Sequence, residues 1–430
     1  MGKKESLEDG VAVPLLEPSY SDIRGGTSTS IQTIGNIIVS IVGTGVLGLP
    51  FAFKISGYLT GSIGVIIAAL STFYCMNLLV HCRDSIEKEE PGQVKTYGDI
   101  GQKAFGLPGR YLTETLIIIS QCGGSVAYLI FIGQNLSSIF KHQNIPVSWF
   151  IISLIPMEIV LSWIQSLSTL SPFSVFADIC NVLAMGIVFK QDLQLFDGIS
   201  ERKAITTEGI ISQGLVFSCG IAVFCFEGFG MTLALESSMK DKKKFKWVLG
   251  YAFLGITFVY ICFGLFGYLA YGDATLDIVT LNLPNDWSST AVKIGLCLGL
   301  TFTFPIMVHP IHEIVEGKLK ESMWFQKLCY SDKEEVFEKR ERYGLYLCRA
   351  SQVIGQALIA LCVPGFGVFV SLVGSTVCAL LAFVLPSTFH LIFVGSSLAL
   401  WQRALDIIIL FCGFCFAVYG TYNAIVGGSS

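Results

Sequence analysis

Two short glycine-rich stretches of the chain hold the residue types needed to grip a small zwitterion. The first is Ile41-Val42-Gly43-Thr44-Gly45-Val46-Leu47-Gly48-Leu49-Pro50, and the second, about 180 residues further on, is Phe224-Cys225-Phe226-Glu227-Gly228-Phe229-Gly230. Each interrupts an apolar run long enough to lie in a bilayer. A helix broken at that depth exposes N–H and C=O groups that lipid cannot satisfy, so a break persists only where protein shields it or a watery cavity meets it. Beyond the first break a half-helix is expected to begin near Val46, and its positive end is an anion site. The N–H groups of Thr44, Gly45 and Val46 and the Thr44 hydroxyl would take a carboxylate, with glycine letting the ligand approach the main chain. Pro50 falls early in that half-helix, where a missing donor costs little. At the second break, carbonyls near Cys225 and Phe226 form a negative end suited to an ammonium group. Together the two ends select an α-amino acid, and paired breaks in two halves of a chain mark transporters built from inverted repeats. Small residues also serve close helix packing, and that is the reading for Gly123, Gly124 and Ser125.

The elements that must hold these stretches are membrane spans. Of 430 residues, 53% are hydrophobic and 14% charged, against roughly 25% charged in soluble domains. Runs of about 20 apolar residues, enough to cross the hydrocarbon core, are expected at 31–56, 58–82, 111–140, 148–165, 172–190, 209–236, 247–271, 288–311, 344–363, 366–386 and 401–425. The first 30 residues are polar, lack the apolar stretch of a signal peptide, and are expected to be a disordered cytosolic tail. Lys and Arg gather in alternate connectors, among them Arg83 to Arg110, Lys240 to Lys246 and Lys318 to Arg342, whereas the opposite side holds only Lys141, Lys190, Arg202 and Lys203. That asymmetry puts the amino end in the cytosol and the carboxyl end outside, in the extracellular space or a lumen. Five spans (31–190) precede the second break and five (209–386) begin with it, so the second group enters the membrane inverted, and 401–425 is an additional helix of the same 31–425 domain.

The net charge of −4 offers no basic patch for nucleic acid. The cysteines are expected to pack as small hydrophobes, Cys412-x-x-Cys415 included, since no His or carboxylate accompanies it as a metal site requires. Residues 334–340 read as a solvated connector, with a surface helix carrying opposite charges at helical spacing as the alternative. The myristoylation pattern at Gly2 would add little affinity to a multi-span chain, and Asn135-Leu136-Ser137 lies too near the bilayer for use as a glycosylation acceptor.

Several stretches resemble the amino acid/auxin permease family, of the wider amino acid–polyamine–organocation superfamily. They are Ile34-Gly35-Asn36-Ile37-Ile38-Val39-Ser40 running into Ile41 to Pro50, Phe51-Ala52-Phe53-Lys54, Phe224 to Gly230 with Leu233-Ala234-Leu235-Glu236, and Gly295 to Pro310. Ser120 to Tyr128 and Ser171 to Asp178 are most similar to the plant aromatic and neutral amino acid transporters of that family. The resemblance covers 31–425 and implies an all-α integral membrane protein of eleven helices, with a five-plus-five inverted-repeat, broken-helix (LeuT-like) fold and one extra helix. It further implies proton-driven movement of aromatic and neutral amino acids, in a plasma, vacuolar or other internal membrane, by a monomer without cofactor. Sodium-coupled relatives carry Asn where this chain has Val39, a departure that favours protons; a sodium alternative would use Thr301 and Thr303.

Proton coupling needs an intramembrane acid. Glu227 is the first candidate, with a capping role for the next half-helix as its structural alternative; Asp178 and then Glu158 are weaker candidates, each more often a paired acid of a helix bundle. Glu114, Glu236 and His309 are expected to reach water at the cytosolic end, and Lys54 to snorkel outward rather than close a gate. Substrate contacts are expected from Ser40, Ile41, Gly43, Thr44, Gly45, Val46, Gln121, Tyr128, Cys225, Phe226 and Phe229, with Phe302 and Phe304 as further apolar wall. A sensor that binds without transport and a facilitative carrier share this chemistry. A channel would show rings of charge or carbonyls along a pore, and an enzyme a cluster of His and acids, neither of which the sequence carries.

Overall fold

The structure, a computed structural model, describes residues 26–90, 92–164, 167–195, 203–205, 213–284, 286–330, 334–363 and 365–427. Most of the expected tail, with Gly2, lies outside these. The described residues are helical apart from turns and one isolated β-bridge between Ser28 and Met239. In chain order the helices are α1 (Ser30–Ile41), α2 (Leu49–Ser56), α3 (Tyr58–Glu89), α4 (Tyr97–Ile139), α5 (Val147–Ser162), α6 (Leu167–Gln194), α7 (Gln213–Cys225) and α8 (Phe229–Ser238). They continue with α9 (Phe245–Tyr271), α10 (Trp287–Glu321), α11 (Met323–Cys329), α12 (Glu334–Cys362), α13 (Phe366–Val373), α14 (Leu385–Phe393) and α15 (Leu400–Gly427). Among the described residues eight helices are long and apolar enough to cross a membrane, or nine when the bent pair of 30–41 and 44–56 is one span, and Val147–Ser162 is a shorter apolar helix.

Several helices outrun the expected spans. α3 continues to Glu89, and α12 starts at Glu334, so 334–340 is the charged beginning of a helix rather than a connector. α4 starts at Tyr97, where Thr96 and Asp99 form a reciprocal cap, and then kinks at Gly106, whose φ of 71° is a backbone state that glycine adopts without penalty. Pro108 follows directly, and the apolar part of α4 resumes beyond it. Gly57 (φ 88°) turns α2 into α3 in the same way.

The helices form two packed groups. α3, α7 and α9 pack on α2, while α10 packs on α4 and α6 with α5 and α12 completing the second group. Lipid tails are as apolar as leucine, so close van der Waals fit rather than hydrophobicity holds such groups together. Phe53 shows the fit: a Cβ at Gly61 of α3 or at Gly264 of α9 would stand 2.8 Å from its ring. Gly123 lies against Val373 and Gly124 against Met307, the packing role expected of them. Between α13 and α14 the chain makes two π-helical turns, Gly374–Cys378 and Leu380–Val384. Such wide turns gather at functional sites, and the first of these packs on α7.

Several polar residues and cysteines depart from expectation. Glu236 is 2% exposed and pairs with buried Arg83 of α3 instead of reaching water. Glu114 is likewise buried, between Arg110 (2.7 Å) and Lys318 (2.5 Å); His309 is half-buried. Lys54 does not snorkel: its Nζ donates to Thr275 O at 2.9 Å and lies over the Phe51 ring, tying the end of α2 to the α9–α10 connector. Glu158 is not paired either; it is fully buried and neither oxygen has a hydrogen-bond partner. Cys412 and Cys415 are exposed on α15 rather than packed. Asn135 is buried, donating to Phe131 O and accepting from Thr280 (2.7 Å), so the acceptor sequence there is sealed.

Candidate functional site between the two broken spans

Both glycine-rich stretches are breaks. α1 stops at Ile41, and after Val42 and Gly43 the chain bends by 51° into a 3₁₀ turn over Thr44–Gly48 that leads into α2. Pro50 sits in the first turn of α2, where its missing donor is harmless. The second break leaves Phe226, Glu227 and Gly228 between α7 and α8. The outer half-helix of the first span begins at Thr44, earlier than Val46, and the Val46 N–H donates to Gly43 O (3.4 Å). Of the donors expected for a carboxylate, that one is thus already engaged.

The Thr44 hydroxyl is not. It is buried and has no hydrogen-bond partner, a state that costs free energy unless something fills it. Beside it, the one atom within 4 Å of where a Gly43 Cβ would stand is the Tyr128 hydroxyl, at 3.8 Å. Two hydroxyls, of Thr44 in the 3₁₀ turn and of Tyr128 in α4, therefore lie at the first break.

Gly45 has a different neighbour. Its Cβ would lie 2.8 Å from Cys225 Sγ and 3.2 Å from the Phe224 ring, so this glycine is required by the approach of the other span. Gly228 answers from the opposite side, with Ile41 Cγ1 at 3.2 Å from its would-be Cβ. The two breaks pack directly on one another.

A residue that sequence reasoning missed joins them. Tyr260 of α9 is fully buried, and its hydroxyl lies 3.2 Å from Ile41 O and 3.1 Å from Cys225 O. Those carbonyls are the C-terminal, negative ends of α1 and α7, and a phenol has one proton to share between them. Tyr260→Phe strands both acceptors, at about 1–3 kcal/mol, and should slow uptake ~10-fold with little change in protein amount; an unaltered rate would deny the bridge any functional weight. The only signal in the sequence is a hydroxyl-bearing ring inside an apolar helix, which normally finds a partner when buried.

Glu227 stands in the second break, between α7 and α8, and the first π turn, which carries Cys378, packs on α7. Cys378 Sγ in turn is 3.6 Å from Ser120 Oγ of α4. Ser120 and Cys378 thus tie α4 to the first π turn. Other expected contacts are elsewhere engaged. The Phe226 ring stacks on Phe253 (5.6 Å) and tilts on Tyr260 (5.1 Å), Phe229 and Phe304 are core, and Ser40 Oγ donates back to Ile37 O. Thr303 Oγ1 donates to Gly299 O, and Thr301 is buried on α10, whose main partners are α4 and α6. Gln121 is partly exposed on α4 beside Ser120.

Among solved structures, the inward-facing conformation of Mhp1 is similar over 97% of this chain and 93% of that one, with a TM-score of 0.60 at 12% identity. Helices of that arrangement, two of them interrupted where they meet, define a multi-pass membrane protein of the broken-helix transporter fold. The chain belongs to the transmembrane amino acid transporter family, whose model matches residues 26–426. It is 56% identical over 424 residues to amino acid transporter ANT1 of Arabidopsis thaliana, with 97% of both chains covered, and 39% identical to amino acid transporter AVT3B of the same plant, with 93% of both covered. A proton-coupled amino acid transporter-like protein, pathetic, of Drosophila melanogaster is 26% identical over 98% of this chain and 90% of its own. The family is one of carriers, not enzymes.

Proposed function

We propose that the protein is a secondary active transporter that carries neutral and aromatic α-amino acids together with protons, by alternating access around the two breaks. The observation that carries this reading is the buried, partnerless Thr44 hydroxyl, set at the positive end of the outer half-helix where the two spans meet. A substrate carboxylate would accept from it, with the Tyr128 hydroxyl across Gly43 as second donor. The substrate ammonium would turn to the opposite side, toward the carbonyl ends of α1 and α7. The name of the Drosophila relative supports protons as the coupling ion. We read the chain as eleven spans, two inverted groups of five and a last helix, with the amino end cytosolic by the Lys and Arg distribution.

Purified protein in vesicles, given radiolabelled phenylalanine, should show saturable uptake that speeds when the outside is acidified and stops when the gradient is collapsed. Binding without accumulation would leave a sensor as the better account. Glu227 is the acid that takes and releases the proton, because it lies in the unwound segment itself. Glu227→Gln keeps the shape and removes the charge change, so uptake should persist at reduced rate and lose its response to the gradient. A variant with the full response would shift the coupling role to Asp178.

A further inference from the structure

One cavity lies apart from the breaks, at the end where α4 finishes and α10 starts. It measures about 580 Å³ and is lined by Ser138, Lys141, His142, Asn144, Thr290 and Lys293 among others. Lys293 is the unusual member. The residue is 3% exposed, yet among the described residues its ammonium forms no ion pair and has one hydrogen-bond partner, Ser138 Oγ at 3.0 Å. An ammonium group has three N–H donors, so two remain for whatever enters the cavity. Asp286, the nearest acid before it in the chain, makes no ion pair with it: this exposed carboxylate caps α10, its Oδ1 accepting from the Ser289 N–H at 2.7 Å, and the Ser289 side chain and N–H together hold it below its ordinary range. Lys141 brings further positive charge to the rim and His142 a ring N–H donor, both at exposed positions.

A buried charge without a counter-ion is costly, and this one faces a polar chamber roomy enough for a small molecule. We infer that the cavity is a binding site for a compact oxyanion, a carboxylate or phosphate group, held by Lys293 and steered in by Lys141 and His142. The inference does not rest on transport. It predicts a second place, away from the breaks, at which anions act on the protein.

The test is thermal unfolding of the full chain in neutral detergent at constant ionic strength, titrated separately with acetate, inorganic phosphate and an anionic phospholipid. Wild type should show a saturable rise in Tm with at least one of them, and which one identifies the source of the oxyanion. Lys293→Met should lose the rise. Lys141→Ala with His142→Ala, both at exposed positions, should weaken the apparent affinity several-fold and guards against misfolding of the first variant. A wild type indifferent to all three anions would overturn the assignment, as would an undiminished rise in the double rim variant or in a folded Lys293→Met.

Discussion

A Gly45→Val protein is expected to reach the membrane in normal amount and to take up no amino acid. The first added carbon would lie 2.8 Å from Cys225 Sγ and 3.2 Å from the Phe224 ring, and valine adds two more. Overpacking of this kind costs about 1–3 kcal/mol, which a bundle of long helices absorbs by moving its least regular segments. Those segments are the two breaks. A shift near 1 Å in the position of a binding group is enough to lose ~100-fold in rate, and here Thr44, Cys225 and the carbonyls held by Tyr260 all shift at once. Initial uptake rates set against immunoblots of the membrane fraction give the result directly, and wild-type kinetics would remove the first break from the binding site. Gly43→Ala is the companion variant, since its Cβ meets only the Tyr128 hydroxyl at 3.8 Å. Loss of apparent affinity there, without loss of protein, separates ligand approach from helix approach.

Arg83→Met is expected to destabilise the protein by about 3–5 kcal/mol, the usual consequence of removing one partner of a buried ion pair. Arg83 and Glu236 are 4% and 2% exposed, and the guanidinium also donates to Asp84 at 2.7 Å. Without the arginine, Glu236 faces a buried site in the last turn of α8, where the helix end also disfavours a negative charge. Replacing Glu236 with Gln in the same chain should return most of the loss, because a neutral amide no longer needs the cation. Thermal melting of the single and double variants measures both effects. Equal instability in the two would mean that the shape of Arg83, not its charge, holds α3 to α8.

The breaks were legible because clustered glycines with a proline close behind the first, recurring in the second half of the chain, go beyond what helix packing alone asks of small residues, and Thr44 was legible through them. What escaped depends on contacts between residues far apart in the chain. Nothing local at Tyr260 points to Ile41, 219 positions away, or marks Gly45 as a contact for Cys225 rather than for a ligand. The buried acids failed for a related reason. Glu236 and Glu114 lie where a cytosolic rim was expected, but α3 and α10 extend past the apolar runs and carry Arg83 and Lys318 down to cover them. Hydropathy finds where a helix leaves lipid and not where it stops. The π turns at 374–384 have no sequence pattern of their own, since they differ from the α-helix by a single residue per turn.

Ahead of the first span, Ser28 N–H donates to Ser238 O and Lys240 N–H donates to Ser28 O, both at 3.0 Å, and Gly26 leaves no room for a side chain against Ser238. This stitch joins the start of α1 to the finish of α8, so these arms of the two interrupted spans are one mechanical piece. Neither arm can swing away alone; any opening on that side must carry both or first unpick two backbone links, so the short strap at Ser28 yokes the two halves together.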